Sequence, residues 1–458
     1  MSGNFERKSA QQKKMQYAKT ICLCLGFLAL GVAIALPGPT LPTLAYNMNY
    51  TIMGISFVLP ARAVGYLFGS ILSGMVLNKL NQQLMIFSSL FVSSIGLVLV
   101  PWVKAVLLGV VMSSIGVSMG FLDTGGNVMC LRIWGEKKSE PFMQMLHFSF
   151  ALGATAAPLI AQPFILDLSN SSLANNVSTT SETQISNVYW AYTIAAALAC
   201  LVSLSFLVLS CTKAAKMVSN QQNTIKKEGK AFRWTMLGLL FIFFMVYVGM
   251  EVAFGLYIFT FATAGATNFS KDQGTALNSV FWGFFAFGRF ISIFVSKILS
   301  PNGLLRIDLL GTILSTALLL CYPLYSTSAI FLLWVGVALY GLSIASTFPT
   351  GISWAEQYIT INGRAASTLV VGAALGEMIC PLVVGKFVEE NPMTLMYFTT
   401  GCTGICTVTY MLLQWLASSK GKRNKRIEIE ERETTGSTGT EEAIELLNDI
   451  DQTNKSTA

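Results

Sequence analysis

Charged residues are scarce in this chain, and histidine is nearly absent. Asp, Glu, Lys and Arg make up only 12% of the 458 residues, there is one His, and hydrophobic residues reach 53%. Apolar runs of about 20 residues, long enough to cross the hydrocarbon core of a bilayer, recur along the whole chain. This composition excludes a soluble globular protein and indicates a membrane protein.

The same scarcities argue against an enzyme and against a nucleic-acid-binding protein. With a single His, a metal cluster lacks its commonest ligand, and no nucleophile–base pair stands out. The nine Cys lie in or beside apolar runs, so we expect no structural disulfide and no cofactor. The net charge of +7 comes from basic residues in short loops beside the apolar runs, which is typical of membrane proteins.

The apolar runs predict an all-α membrane protein of twelve transmembrane helices in two six-helix bundles. Helices are expected because backbone groups in lipid must form their hydrogen bonds within the segment. A polar, Lys-rich cytoplasmic linker at 212–231 separates bundles at 19–211 and 232–417, and cytoplasmic tails occupy 1–18 and 418–458, the second of them disordered. The expected spans are 19–41, 53–77, 84–102, 104–130, 142–166, 188–211, 232–264, 274–299, 304–325, 329–352, 366–388 and 394–417.

Two signals place both termini in the cytoplasm. In that topology all but five of the 30 Lys and Arg fall on the cytoplasmic side, as the positive-inside rule requires. Four glycosylation sequons fall in loops that the same topology places outside. They begin at Asn49, Asn170, Asn176 and Asn268.

The C-terminal tail carries a short acidic motif. Glu442, Leu446 and Leu447 fit an acidic dileucine signal, which would recruit trafficking adaptors. An incidental amphipathic stretch explains the same residues equally well.

The two halves repeat one another at an offset of 223 residues. Residues 152–159 (LGATAAPL) in the fifth helix align with 375–382 (LGEMICPL) in the eleventh. The same offset places Asp123-Thr124 on Ser346-Thr347. A parallel repeat of six-helix halves is a recurring transporter design, with the binding site at the midplane between the halves.

Six ionisable side chains are clear cases of charge deep within the predicted spans, where each costs at least ~2.5–3.5 kcal/mol without a partner or a function. Arg62 and Glu377 lie at mid-membrane depth, and we expect them to form a structural or gating ion pair between the halves. Arg289 is best interpreted as a fixed structural cation, and His147 as a hydrogen-bonded interface residue beside Asp123. The six are Arg62, Asp123, His147, Glu251, Arg289 and Glu377.

The fourth helix holds the strongest candidate binding segment. Asp123, Thr124 and Asn127 supply polar side chains, and two glycines between them allow a polar ligand to approach closely. A carboxylate in a polar cavity can accept sugar hydroxyls, bind Na⁺ or take a proton. In the eighth helix, Trp282 with Asn278 one turn before it could stack on a sugar ring, and a packing role fits equally well.

Ordered motifs along the chain resemble the fucose permease branch of the major facilitator superfamily. Within that branch, residues 36–42, 120–127 and 147–153 are most similar to the animal sodium-dependent glucose transporter 1 group. The motifs are acid-Thr-x-x-Asn (Asp123, Thr124, Asn127), Gly-x-Glu (Gly249, Glu251), Trp-Gly and Gly-Arg-Phe (282–283, 288–290), and Phe-Pro-Thr (348–350).

The resemblance implies a sodium-coupled monosaccharide symporter of an animal plasma membrane, with the apical side of an epithelium as one option. It also implies that Asp123 faces the sugar. We expect Asp123, Asn127, Thr124, Trp282 and Asn278 to bind sugar, and Glu251 or Asp123 itself to hold Na⁺. The first helix lacks the acid with which bacterial members use protons.

Three readings of the mechanism follow from these observations. The first is alternating access, in which the halves rock about a central wet cleft that both Asp123 and Glu251 face. A facilitative uniporter or a channel-like pathway for a small neutral solute such as urea is a second, and a proton-coupled sugar symporter a third. The loop after the second helix departs from the superfamily pattern at residues 74–82, which leaves its gating role open.

Overall fold

The computed structural model describes most of the chain as packed helices. The described residues are 2–50, 55, 57–77, 79–135, 138–164, 187–211, 229–263, 269–321, 330–388 and 390–434. Their α-helices are α1 (Ser2–Ala35), α2 (Pro37–Asn47), α3 (Val58–Val76), α4 (Gln82–Leu99), α5 (Ala105–Trp134), α6 (Glu140–Ala161), α7 (Val188–Cys211), α8 (Lys230–Thr263), α9 (Lys271–Val295), α10 (Pro301–Leu320), α11 (Phe331–Ile344), α12 (Thr347–Tyr358), α13 (Gly363–Gly385) and α14 (Thr394–Thr434).

These helices form the twelve predicted spans. Eleven spans are long and apolar enough to cross a membrane, with α1 and α2 forming the first and α11 and α12 the tenth. The twelfth is α14, whose threonines make it less apolar. Thr399, Thr403 and Thr407 each donate a hydrogen bond to the carbonyl four residues earlier, so their hydroxyls are satisfied within the helix.

Two spans are broken, which the sequence prediction of continuous helices did not include. The first span breaks between α1 and α2, where Pro37 lacks the N–H that a continuous helix needs. The tenth span breaks at Ala345 and Ser346. Both spans also run further than predicted, to Asn47 and Tyr358 rather than to 41 and 352.

Glycines allow the closest helix contacts inside each half. In the N-terminal half, a Cβ at Gly65 of α3 would overlap the Ser113 carbonyl of α5. In the C-terminal half, a Cβ at Gly341 of α11 would lie 2.5 Å from the Phe281 carbonyl of α9. Corresponding helix pairs of the two halves therefore pack backbone to backbone, as small residues permit in membranes.

The halves meet at one end of the bundle, which we call the closed end. It is the end where residues 77–81, 135–139, 296–300 and 359–362 connect helices. The halves touch through α3 with α13, α5 with α13, and α6 with both α9 and α12. At this end, a Cβ on Gly74 would lie 2.5 Å from the Ser367 Cβ. The tight approach leaves no room for a solute to pass between α3 and α13 there.

Candidate transport site

Asp123 lies buried in α5, with both carboxylate oxygens hydrogen-bonded. Its Oδ2 accepts from the Tyr66 hydroxyl of α3 at 2.6 Å, and its Oδ1 accepts from Asn127 Nδ2 at 3.1 Å. The i, i+4 spacing places Asn127 one turn along the same face of α5. Both donors are neutral, so these contacts leave the carboxylate charge without a cation. We call Tyr66, Asp123, Asn127 and His147 the Asp123 cluster.

His147 joins this cluster through Asn127. The Asn127 amide donates toward the carboxylate, so its Oδ1 faces His147 Nε2 at 3.2 Å, and that ring nitrogen donates. The imidazole also lies between the Phe27 and Phe348 rings, with centroids 5.5 and 5.1 Å away. His147 was predicted to sit beside Asp123. The structure instead places Asn127 between them, and His147 at the boundary of the two halves.

Arg289 of α9 is the centre of a second cluster, which belongs to the C-terminal half. Its Nη2 lies 3.9 Å from Glu251 Oε1 of α8, and its Nε donates to the Ala345 carbonyl at 3.3 Å. Its Nη1 donates across the half boundary to the His147 carbonyl at 3.2 Å. The guanidinium also stacks on the Phe285 ring, 4.3 Å from its centroid. We call Arg289, Glu251, Tyr247 and Asp308 the Arg289 cluster.

The Arg289 cluster braces the break in the tenth span. A helix that stops inside a membrane leaves carbonyls without partners, and these need other donors. The Tyr247 hydroxyl donates to the Ile344 carbonyl at 2.6 Å, next to the Ala345 carbonyl held by Arg289. On the other side of the break, Asp308 Oδ2 accepts from the Ser346 hydroxyl at 2.5 Å.

Arg62 supports the break in the first span in a similar way. Its Nη1 donates to the Ile34 carbonyl, near the end of α1, at 2.6 Å. Glu377 interacts electrostatically with Arg62, in the sense that stabilises both charges, and also with Asp123 and Glu251. The ion pair between Arg62 and Glu377 stays a prediction.

A cleft opens toward the end opposite the closed end. Glu377 is exposed although it lies in the middle of α13, and its electrostatic partners in both halves show that it faces the space between them. Trp282 is 40% exposed and lies seven residues before Arg289, on the same face of α9. Its ring covers Gly255 of α8. Glu377 and Trp282 therefore line the cleft.

Asp123 and Glu251 do not face this cleft openly, contrary to the sequence prediction. Asp123 is 7% exposed and Glu251 9% exposed. The closed halves and the polar partners around each carboxylate exclude most water. Both carboxylates nevertheless interact electrostatically with Glu377, which lines the cleft.

The remaining sugar-binding candidates, Thr124 and Asn278, each have a buried side-chain oxygen without a hydrogen-bond partner. Thr124 is fully buried, and its Oγ1 has no hydrogen-bond partner, so it does not line the cleft in this conformation. Asn278 lies one turn before Trp282, and its buried Oδ1 also lacks a partner. An unpartnered acceptor beside an exposed indole is a fitting arrangement for a hydroxyl donor, and both assignments stay predictions.

The glycosylation and trafficking candidates lie mostly outside the described residues. Asn49 is described: it is exposed, has a positive φ of 56°, and sits at the end of the bundle opposite the closed end. Asn tolerates this left-handed conformation better than most residues. Candidates outside the described residues are Asn170, Asn176, Asn268, Glu442, Leu446 and Leu447.

Three buried polar residues escaped the sequence prediction. Asp308 was overlooked because its span was predicted to begin at 304, whereas α10 begins at Pro301 and buries Asp308 two turns in. Glu140 was overlooked because the fifth span was predicted from 142. Tyr66 could have been found, since the offset of 223 residues places it on Arg289.

Comparison with known proteins settles the family. The family model described as Major Facilitator Superfamily matches residues 23–381. The chain belongs to the major facilitator superfamily. It is 38% identical over 422 residues to "Sodium-dependent glucose transporter 1" of Homo sapiens, covering 88% of this chain and 80% of the relative. It is 39% identical over 426 residues to the protein of the same name from Xenopus laevis, covering 90% and 86%.

Solved structures of this superfamily share the fold. The E. coli fucose:proton symporter FucP superposes with a TM-score of 0.63 at 17% identity, covering 86% of this chain and 98% of that one. The proton:xylose symporter XylE superposes with a TM-score of 0.67 at 12% identity, covering 88% and 96%. The predicted fold of two six-helix bundles is confirmed. The protein is a multi-pass membrane transporter, and its relatives are transporters rather than enzymes.

Proposed function

We propose that this transporter is a sodium-coupled symporter of glucose or a related monosaccharide that works by alternating access. Relatives from five animals, 35–39% identical, are named sodium-dependent glucose transporters. A transporter of this kind resides in the plasma membrane with both termini in the cytoplasm. The closed end is then cytoplasmic, and the cleft opens outward.

The observation that carries the coupling is the unneutralised charge of the Asp123 cluster. Three carboxylates interact at the floor and wall of the cleft, namely Asp123, Glu251 and Glu377. Two guanidinium groups, Arg62 and Arg289, accompany them. These five groups carry one surplus negative charge, and a single bound cation compensates it. Asp308 lies outside this set, on the other side of the break in the tenth span, where the Ser346 hydroxyl donates to it.

Asp123, rather than Glu251, is the buried carboxylate that has no cation beside it. Glu251 already lies beside Arg289, whereas the contacts of Asp123 are the neutral Tyr66 and Asn127. Carboxylate and amide oxygens suit a hard cation such as Na⁺. Glu251 then serves to hold Arg289 in place, and Asp123 alone of the two carboxylates holds the ion.

We assign the sugar site to Trp282 and Asn278 of α9. The exposed Trp282 ring offers an apolar plate for one face of a pyranose ring, and Asn278 offers an acceptor for a hydroxyl. A cation bound beside the sugar neutralises the surplus negative charge of the carboxylates. The halves can then close over a site that is dry and carries no net charge. Charge neutralisation thus links ion binding to the movement of both solutes.

Radiolabelled glucose uptake into proteoliposomes tests this proposal. With an inward Na⁺ gradient, the wild-type protein should accumulate glucose above the external concentration, and Asp123→Ala should abolish accumulation. Asp308→Asn is the matched control, since it changes a buried carboxylate away from the cleft and should keep sodium dependence. Accumulation driven only by a proton gradient, or equilibration that ignores both gradients, would contradict sodium coupling.

A further inference from the structure

A second polar cluster joins the two halves at the closed end. Gln144 of α6 donates from Nε2 to the Thr350 hydroxyl of α12 at 2.7 Å, and to Glu140 Oε1 at 3.0 Å. Glu140 is 5% exposed, and Gln144 and Thr350 are fully buried. We call Glu140, Gln144 and Thr350 the Glu140 latch, because it bridges helices that must separate when this end opens.

The latch contains more acceptors than donors. Glu140 Oε2 and Gln144 Oε1 are both buried, and neither has a hydrogen-bond partner. The Ser353 and Thr350 hydroxyls also act on Glu140 as hydrogen-bond donors, although Ser353 donates to the Pro349 carbonyl at 3.2 Å as well. These neutral donors bring no positive charge, and desolvation of a buried carboxylate ion outweighs them.

The titratable groups around Glu140 do not supply a compensating cation. Those that interact with it electrostatically are Cys130 of α5 and Asp308 of α10, neither of which is cationic. Arg289 of α9 is held by Glu251, His147 and Ala345.

We propose that Glu140 is a proton-binding site that is occupied while the closed end is shut and empties into water when it opens. A proton on Oε2 turns one surplus acceptor into a donor, which removes the mismatch in the latch. Separation of α6 and α12 hydrates the carboxyl group and favours its ion. The shut state therefore binds the proton more tightly, so acid stabilises the shut end, and this stabilisation is lost as pH rises.

This site is separate from the Asp123 cluster, and the inference does not depend on which solute is carried. Hydrogen–deuterium exchange of the purified full-length protein in nanodiscs tests it without substrate. Exchange of peptides covering 140–147 and 347–353 is compared from about pH 5 to about pH 9, the range open to a buried carboxyl group. Rates are corrected for the intrinsic pH dependence of exchange.

In the wild-type protein, corrected exchange in both peptides should accelerate with pH, by up to about tenfold per pH unit, the limit for one proton. Glu140→Gln, which is permanently neutral, should stay protected throughout. Glu390→Gln makes the same chemical change in an exposed acid at the opposite end of the bundle and should follow the wild type. Corrected exchange independent of pH in the wild type, or a wild-type response in Glu140→Gln, would overturn the proposal.

A second variant keeps the test decisive if Glu140→Gln does not fold. Thr350→Val removes the acceptor that ties Gln144 to the other half and leaves Glu140 unchanged. It should raise exchange in both peptides at low pH, while α7 peptides remain protected as in the wild type. Unchanged protection at low pH would show that the latch does not hold the halves together.

Discussion

Each half contains a buried carboxylate in its central helices, and the two carboxylates have different partners. In the N-terminal half, Asp123 is held by the neutral donors Tyr66 and Asn127. In the C-terminal half, Glu251 lies beside the guanidinium of Arg289. The first arrangement leaves a charge to be compensated, and the second is already neutral. The two repeats therefore differ in one respect: the N-terminal half holds a carboxylate without a cation, and the C-terminal half holds a carboxylate paired with a guanidinium.

The repeat itself shows where the halves diverged. The offset of 223 residues pairs Tyr66 with Arg289, and Asp123 with Ser346. Tyr66 donates to Asp123 in one half, and Arg289 donates to Ala345, next to Ser346, in the other. The same helix pair is therefore bridged at the same position, once by a phenol to a carboxylate and once by a cation to a backbone carbonyl.

Removal of Arg289 is expected to have the largest effect, on stability. Arg289→Gln leaves Glu251 buried without its cation and removes donors from two carbonyls, which costs about 3–5 kcal/mol. Thermal unfolding of the purified protein should show a strongly lowered Tm. Lys297→Gln, an exposed position just beyond the same helix, is the control and should change stability by less than about 0.5 kcal/mol. An unchanged Tm in Arg289→Gln would show that Arg289 does not stabilise the break in the tenth span.

Loss of the Tyr66 hydroxyl should affect coupling rather than stability. Tyr66→Phe removes a hydrogen bond to the charged form of Asp123, worth about 1.5–3 kcal/mol, so protons compete better with the cation. Acid inhibition of sodium-stimulated uptake should therefore begin about one to two pH units higher. The exposed Tyr46→Phe is the control. If both variants follow the wild-type pH profile, Tyr66 does not tune Asp123.

The smallest effect is expected at Ser346, the repeat partner of Asp123. Ser346→Ala removes one hydrogen bond to Asp308 and should lower stability by about 1 kcal/mol, with sodium dependence of uptake intact. Ser88→Ala, which removes an exposed hydroxyl, controls for the substitution. Loss of sodium dependence in Ser346→Ala would mean that the halves are less specialised than their contacts indicate.

Hydropathy and the repeat predicted the fold and much of the central cleft. The apolar runs located all twelve spans, and the intramembrane charges led to Asp123, Glu251 and Arg289. The breaks in the first and tenth spans were missed because hydropathy gives the length of an apolar run and does not show whether its helix is continuous. Pro37 and Pro39 do mark the break in the first span. Depth alone does not give helix rotation, so the sequence does not say how closely Arg62 and Glu377 approach each other. Tyr66 was missed because a tyrosine in a span looks like packing.

Sodium-dependent thermal stabilisation tests the central claim, that Asp123 holds the coupling cation and Glu251 does not. The Tm of purified protein is compared in sodium chloride and in choline chloride of equal ionic strength, because a ligand that binds the folded state raises its stability. Sodium should raise the Tm of the wild type and of Glu251→Gln, and should leave that of Asp123→Asn unchanged. A wild-type sodium shift in Asp123→Asn, with none in Glu251→Gln, would contradict the account.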